Sequence, residues 1–103
     1  MPDDFHRVVW PRGRKIVERL PLARRLPTLE GKTIAFLWDH VFRGDEIFPI
    51  VERELTQRFR GVTFVPWDAF GSIYGGAERA TIAELPDRLR ARRVDAVVAA
   101  VGC

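Results

Sequence analysis

A chain of 103 residues with 47% apolar and 30% charged side chains holds one small domain and leaves no room for a second. The longest apolar run, Ala96 to Val101, falls far short of the roughly 18 residues of a membrane span, and the acidic start Met1-Pro2-Asp3-Asp4 lacks a signal peptide's apolar centre, so no membrane and a cytoplasmic location are expected. One cysteine permits no internal disulfide, and two histidines beside it show no ligand spacing, so neither a metal nor a cofactor is expected.

The charge of +3 is unevenly placed: residues 1–31 carry seven basic and four acidic side chains, whereas residues 32–103 carry ten of each. A basic arm is a usual footprint for nucleic acid, but no helix-turn-helix, zinc spacing or aromatic stacking platform accompanies this one, so a solvated arm is favoured over nucleic-acid binding. Pro2, Pro11, Pro21 and Pro27 interrupt the stretch, each removing a backbone donor and biasing the preceding residue away from helix. Only Gly13 to Leu20 suits a helix, and about two turns are too short to stand alone. Residues 1–31 therefore read as a proline-interrupted basic arm that drapes over the domain or a partner and ends in a turn at Glu30-Gly31.

From Lys32 the pattern changes. Thr33 to Trp38 is an uninterrupted apolar stretch suited to a strand covered on both faces. Asp45 to Phe59 places Ile47, Phe48, Val51, Leu55 and Phe59 at helical spacing with charges on the other faces. Gly44-Asp45 is the expected cap, Pro49 is expected in the first turn, and Gly61 marks the stop. Val62 to Trp67 is a second strand, placed at a sheet edge by Pro66. A second helix runs from about Glu78 to Arg93 with Ile82, Leu85 and Leu89 inward, and Pro86 is expected to kink or divide it. Arg88, Arg90, Arg92 and Arg93 complement its carboxyl end. Val94 to Val101 is the third strand, expected to be the most buried segment of the chain.

Two right-handed crossovers make this β-α-β-α-β order a Rossmann-like or flavodoxin-like α/β unit over residues 32–103, with a three-stranded parallel sheet in the order 2-1-3. Such a unit is expected to be an incomplete half of a larger domain. Ligands of open parallel sheets bind beyond the carboxyl ends of the strands. The segments Trp38 to Arg43, Trp67 to Ser72 and Gly102-Cys103 meet there. Cys103, Asp39 and His40 are the candidate catalytic groups: a thiol at a strand end, and a carboxylate beside an imidazole that moves protons near neutral pH. Asp68, Arg43 and Ser72 are candidate substrate contacts. An aspartate just past a strand is more often a cap or a loop acceptor, and the tryptophans are more often core or rim than a recognition platform. The loop Phe70 to Gly76 has the glycines to close on a ligand, but it contains no Lys or Arg and matches neither the dinucleotide fingerprint nor the phosphate-binding loop.

Gly31-Lys32-Thr33-Ile34-Ala35-Phe36-Leu37-Trp38-Asp39, Phe42-Arg43-Gly44-Asp45-Glu46-Ile47-Phe48-Pro49, Trp67-Asp68 with Phe70-Gly71, and Val94-Asp95-Ala96-Val97-Val98 with Val101-Gly102-Cys103 together resemble the UGSC family of (seleno)proteins, over roughly residues 27 to 103. The resemblance implies thiol or selenol chemistry at a selenocysteine- or cysteine-Gly-Ser-Cys motif after the third strand. None of that motif stands in these 103 residues, so only Cys103 carries over. Because UGA encodes selenocysteine, a coding frame read as stopping there is expected to end at this point. A different stop codon, or no following frame beginning Gly-Ser-Cys, excludes that explanation.

Three functions follow as expectations. The first is the amino-terminal part of a UGSC-like thiol or selenol redox-type protein, inactive by itself and taking a small-molecule substrate. The second is a cofactor-independent racemase-like thiol enzyme, which requires a second cysteine that this chain lacks. The third is a small non-catalytic interaction module using the arm and an open sheet edge. A half-domain of this kind exposes apolar surface and a strand edge, so a homodimer or a missing carboxy-terminal half is expected.

Overall fold

The computed structural model describes residues 6–13, 17–73, 75–100 and 102. Cys103 lies outside them, as do Val101 and Tyr74. From Thr33 onward the chain alternates strand and helix: β1 Thr33–Trp38, α1 Gly44–Arg58, β2 Thr63–Val65, a 3-10 turn Trp67–Ala69, α2 Glu78–Ala91 and β3 Ala96–Ala100. The three strands form one parallel sheet in the order β2-β1-β3. β1 is central because both crossovers return beside it, and its uninterrupted apolar run suits a strand walled on two faces.

Successive side chains of β1 point to opposite faces, so its residues build two cores. Ala35 and Leu37 pack with Val65 and Phe70 beneath Leu85 and Leu89 of α2. Phe36 and Trp38 pack with Phe48 of α1 and with Phe42, Val51, Phe64 and Val98. Phe36 is the hub of the second core, its ring centroid 4.8 Å from that of Phe48 and 5.5 Å from that of Phe64. Each pair adds about 0.5–1.5 kcal/mol to the burial of the rings themselves.

The start of the sheet is pinned by short polar contacts. Thr33 N–H donates to Asp95 Oδ2 at 2.9 Å, and Asp95 N–H donates to the Thr33 carbonyl at 2.8 Å. The Thr33 and Thr63 hydroxyls meet at 3.0 Å. Gly61, at φ 71°, makes the left-handed turn that leads from α1 into β2.

Several expectations need correction. α1 begins at Gly44 with Arg43 as its cap residue and no side-chain cap, so Pro49 lies in the second turn. The helix continues because Pro49 and Asp45, whose carbonyl loses its donor, both face solvent, where water replaces the missing N–H. Ile47 is 43% exposed, since the buried stripe runs through Phe48, Val51 and Leu55. α2 is one continuous helix through Pro86, which also sits on its solvent side. Ile82 is half exposed rather than inward. β2 is only three residues long and ends at Val65, just before Pro66, on the sheet edge as expected.

β3 is not the most buried segment; that is β1. Val97 pairs with Ala35 and Ala99 with Leu37, so both lie on the face that α2 covers over β1 and β2. α2 does not reach across to β3, and Val97 is 40% exposed while Ala99 is also open.

Candidate functional site

Asp39 follows β1 at the carboxyl end of the sheet and is the buried charged residue of the described chain, at 3% exposure. Its Oδ1 accepts from Val41 N–H at 3.1 Å, which tightens the turn after β1. Its Oδ2 accepts from Gly102 N–H at 2.9 Å, across 63 residues of sequence. One carboxylate thus ties the exit of the central strand to the exit of β3. Gly102 also needs its small size, because a Cβ there lies 2.9 Å from the Phe42 ring.

His40 does not pair with Asp39. Its backbone is left-handed, at φ 64°, which turns the imidazole back over the sheet end. The ring stacks on Trp38 at 4.5 Å and meets the edge-on Trp67 at 5.0 Å. Nδ1 and Ser72 Oγ are 3.0 Å apart, either serving as donor. The β1 exit and the loop after the 3-10 turn are therefore joined through the His40–Ser72 hydrogen bond. Trp38 Nε1 is buried without a hydrogen-bond partner among the described residues. Trp38 is held by Gly44, where an added Cβ falls 2.6 Å from Nε1.

Beside Asp39, between the sheet end and α2, lies a cavity of about 390 Å³ lined by Leu37, Asp39, Ile73, Glu78, Ile82, Leu85 and Gly102. Its walls are mostly aliphatic, with the Asp39 and Glu78 carboxylates as the acidic groups. This composition suits a small, largely apolar molecule carrying a hydrogen-bond donor or a cation.

The six expected site residues divide accordingly. Asp39, His40 and Ser72 converge at the rim of the sheet. Asp68 is exposed in the 3-10 turn, and Arg43 forms a 3.6 Å pair with Glu46 in which both side chains are largely solvated; neither lines the cavity. Cys103 lies outside the described residues, next in sequence to the clasped Gly102. Glu78, Ile73, Ile82 and Leu85 were not singled out as site residues, since their place on the cavity wall follows from how α2 leans on the sheet. No group of three or more His, Cys, Asp or Glu among the described residues is arranged to hold a metal ion. No helix among them is long and apolar enough to cross a membrane.

No curated protein and no solved structure matches the chain significantly. The family model described as UGSC matches residues 7–103, reaching some 20 residues further into the arm than the segments that carried the resemblance. With nearly the whole chain matched, on a parallel sheet whose rim brings Asp39, His40 and Ser72 together, the protein belongs to the UGSC family.

Proposed function

We propose that this chain forms the amino-terminal, substrate-side wall of a UGSC-like thiol or selenol redox-type site acting on a small, largely apolar molecule. The observation that supports the reading is the Asp39 clasp on Gly102. It restrains the backbone one residue before the only thiol in the chain, at the open end of a parallel sheet and on the wall of a cavity. Asp39 positions that backbone, while His40 and Ser72 form the exchangeable-proton pair at the rim. The 103 residues do not contain the Gly-Ser-Cys motif, so on this reading they are inactive by themselves.

The test is alkylation of Cys103 by iodoacetamide as a function of pH, in the folded chain and in the same chain unfolded by urea. The unfolded thiol titrates at about 8.5, and a folded-state midpoint clearly below that value supports a reactive site. Coincident folded and unfolded midpoints reject the thiol reading. They leave the protein as an interaction module, which the open β3 and the exposed arm favour as the second reading.

A further inference from the structure

Asp45, Phe48 and Pro49 take no part in the Asp39 site, yet they wall a second cavity on the α1 side of the sheet, away from the cavity that α2 bounds. It encloses about 130 Å³ between α1 and the exit of β2, and Phe36, Glu52, Pro66 and Trp67 complete its lining. Drug-sized ligands occupy about 300–1,000 Å³, so this space takes one compact group.

The walls decide what kind of group. Phe36 and Phe48 form a buried aromatic floor, their ring centroids 4.8 Å apart. Trp67 stands half-buried at the side and is held there by T-shaped contacts to Trp38 at 4.8 Å and to His40 at 5.0 Å. Pro49 and Pro66 add rigid apolar surface, so the cavity is preformed. Against this apolar lining stand two carboxylates on one side of α1, Asp45 in its first turn and Glu52 two turns on. Neither has an ion pair among the described residues, although arginines stand beside both in sequence. Arg43 turns instead to Glu46 at 3.6 Å, and Arg53 to Glu54 at 3.9 Å.

We propose that this cavity binds a compact organic cation, a guanidinium or an alkylated ammonium group, with its charge at Asp45 and Glu52 and its apolar faces on Trp67, Phe36 and Phe48. Aromatic faces attract cations, and such delocalised or alkylated cations give up their water more readily than a bare ammonium. The positive end of α1 opposes a cation, but Asp45 answers it locally and Glu52 lies beyond the first turn, where the dipole has faded. A hard metal ion needs six or more oxygen ligands, which an aromatic floor does not supply. A neutral group leaves both carboxylates unanswered, and an anion is repelled. The same head group can arrive as a free small molecule or as the side chain of an arginine. The proposal does not rest on the thiol reading, since none of these residues lines the cavity beside Asp39.

The experiment is a ¹H–¹⁵N nuclear magnetic resonance titration of the full chain with Nα-acetylarginine amide and with tetramethylammonium chloride, each to about 20 mM at constant ionic strength. The neutral isostere Nα-acetylcitrulline amide is the control. Both cations are expected to shift the Trp67 indole N–H and the amides from Asp45 to Glu52, with a Kd of about 1–10 mM, and citrulline amide to leave them in place. An Asp45→Asn, Glu52→Gln double variant, isosteric at two exposed positions, is expected to bind about tenfold more weakly while its spectrum stays dispersed. If the same signals move when the free chain is diluted, the cation is an arginine of another copy; if they stay, it is a separate molecule. Absence of any shift to about 20 mM overturns the proposal, as do equal shifts with citrulline amide or native affinity in the double variant. Cation-induced shifts confined to Asp39 and Glu78 overturn it too, because they place the charge in the other cavity.

Discussion

The clasp at Asp39 sets a measurable share of the domain's stability. Asp39→Ala removes the acceptor from Val41 N–H at 3.1 Å and from Gly102 N–H at 2.9 Å. A hydrogen bond to a charged group contributes about 1.5–3 kcal/mol. The Val41 donor sits in an exposed turn where water replaces the carboxylate, so the lower figure applies to it, whereas Gly102 is half-buried and takes the upper one. Removing a buried charge returns some desolvation energy, which brings the net loss to about 2–4 kcal/mol. Against a total of about 5–15 kcal/mol for a domain, that is a large fraction. Urea unfolding followed by far-UV circular dichroism reads it directly: with a slope of about 1–2 kcal/mol per M, the midpoint falls by about 2 M. Asp39→Asn keeps one acceptor and is expected to lie between the two. A midpoint unchanged within about 0.5 M in Asp39→Ala refutes the reasoning, because a carboxylate that closes both strand exits cannot be removed at no cost.

Two further substitutions test neighbouring contacts. Gly44→Ala drives a Cβ to 2.6 Å from Trp38 Nε1, and the buried indole has to shift; the loss is about 2–3 kcal/mol, seen as a melting temperature lower by about 10 °C or more, and an unchanged melt excludes the contact. Asp95→Ala removes the 2.9 Å acceptor of Thr33 N–H at the exposed start of the sheet, for about 1 kcal/mol in chemical denaturation, while Asp95→Asn, which can still accept, loses less; equal losses refute the hydrogen-bond account.

Much of the fold was legible because it rests on local patterns. Ile34 to Trp38 is apolar throughout, and a strand that needs apolar residues on both faces has to be central. Phe48, Val51 and Leu55 announce the inner face of α1 by spacing alone. β3 was misjudged because burial belongs to neighbours as well as to composition: Ala96 to Ala100 is as apolar as β1, yet nothing in its letters tells that α2 stops short of it. Pro49 and Pro86 likewise look disruptive in sequence, but their effect depends on whether the carbonyl left without a donor meets water. That Asp39, His40 and Ser72 come together at the sheet rim follows from their position after strands and in the following loop. The pairing among them does not, since a left-handed backbone at a non-glycine residue has no sequence signature. Gly102 contributes a backbone N–H, which every residue except proline possesses. Arg43 and Asp68 stand just past strand ends along the chain, but both are exposed and neither lines the cavity.

The corner at His40 carries one more implication. A backbone at φ 64° imposes about 1–2 kcal/mol on a side chain that has a Cβ, a load that glycine escapes. The stacking on Trp38 and the bond to Ser72 are the contacts that offset this cost. Loss of either contact leaves the left-handed backbone cost with less to offset it.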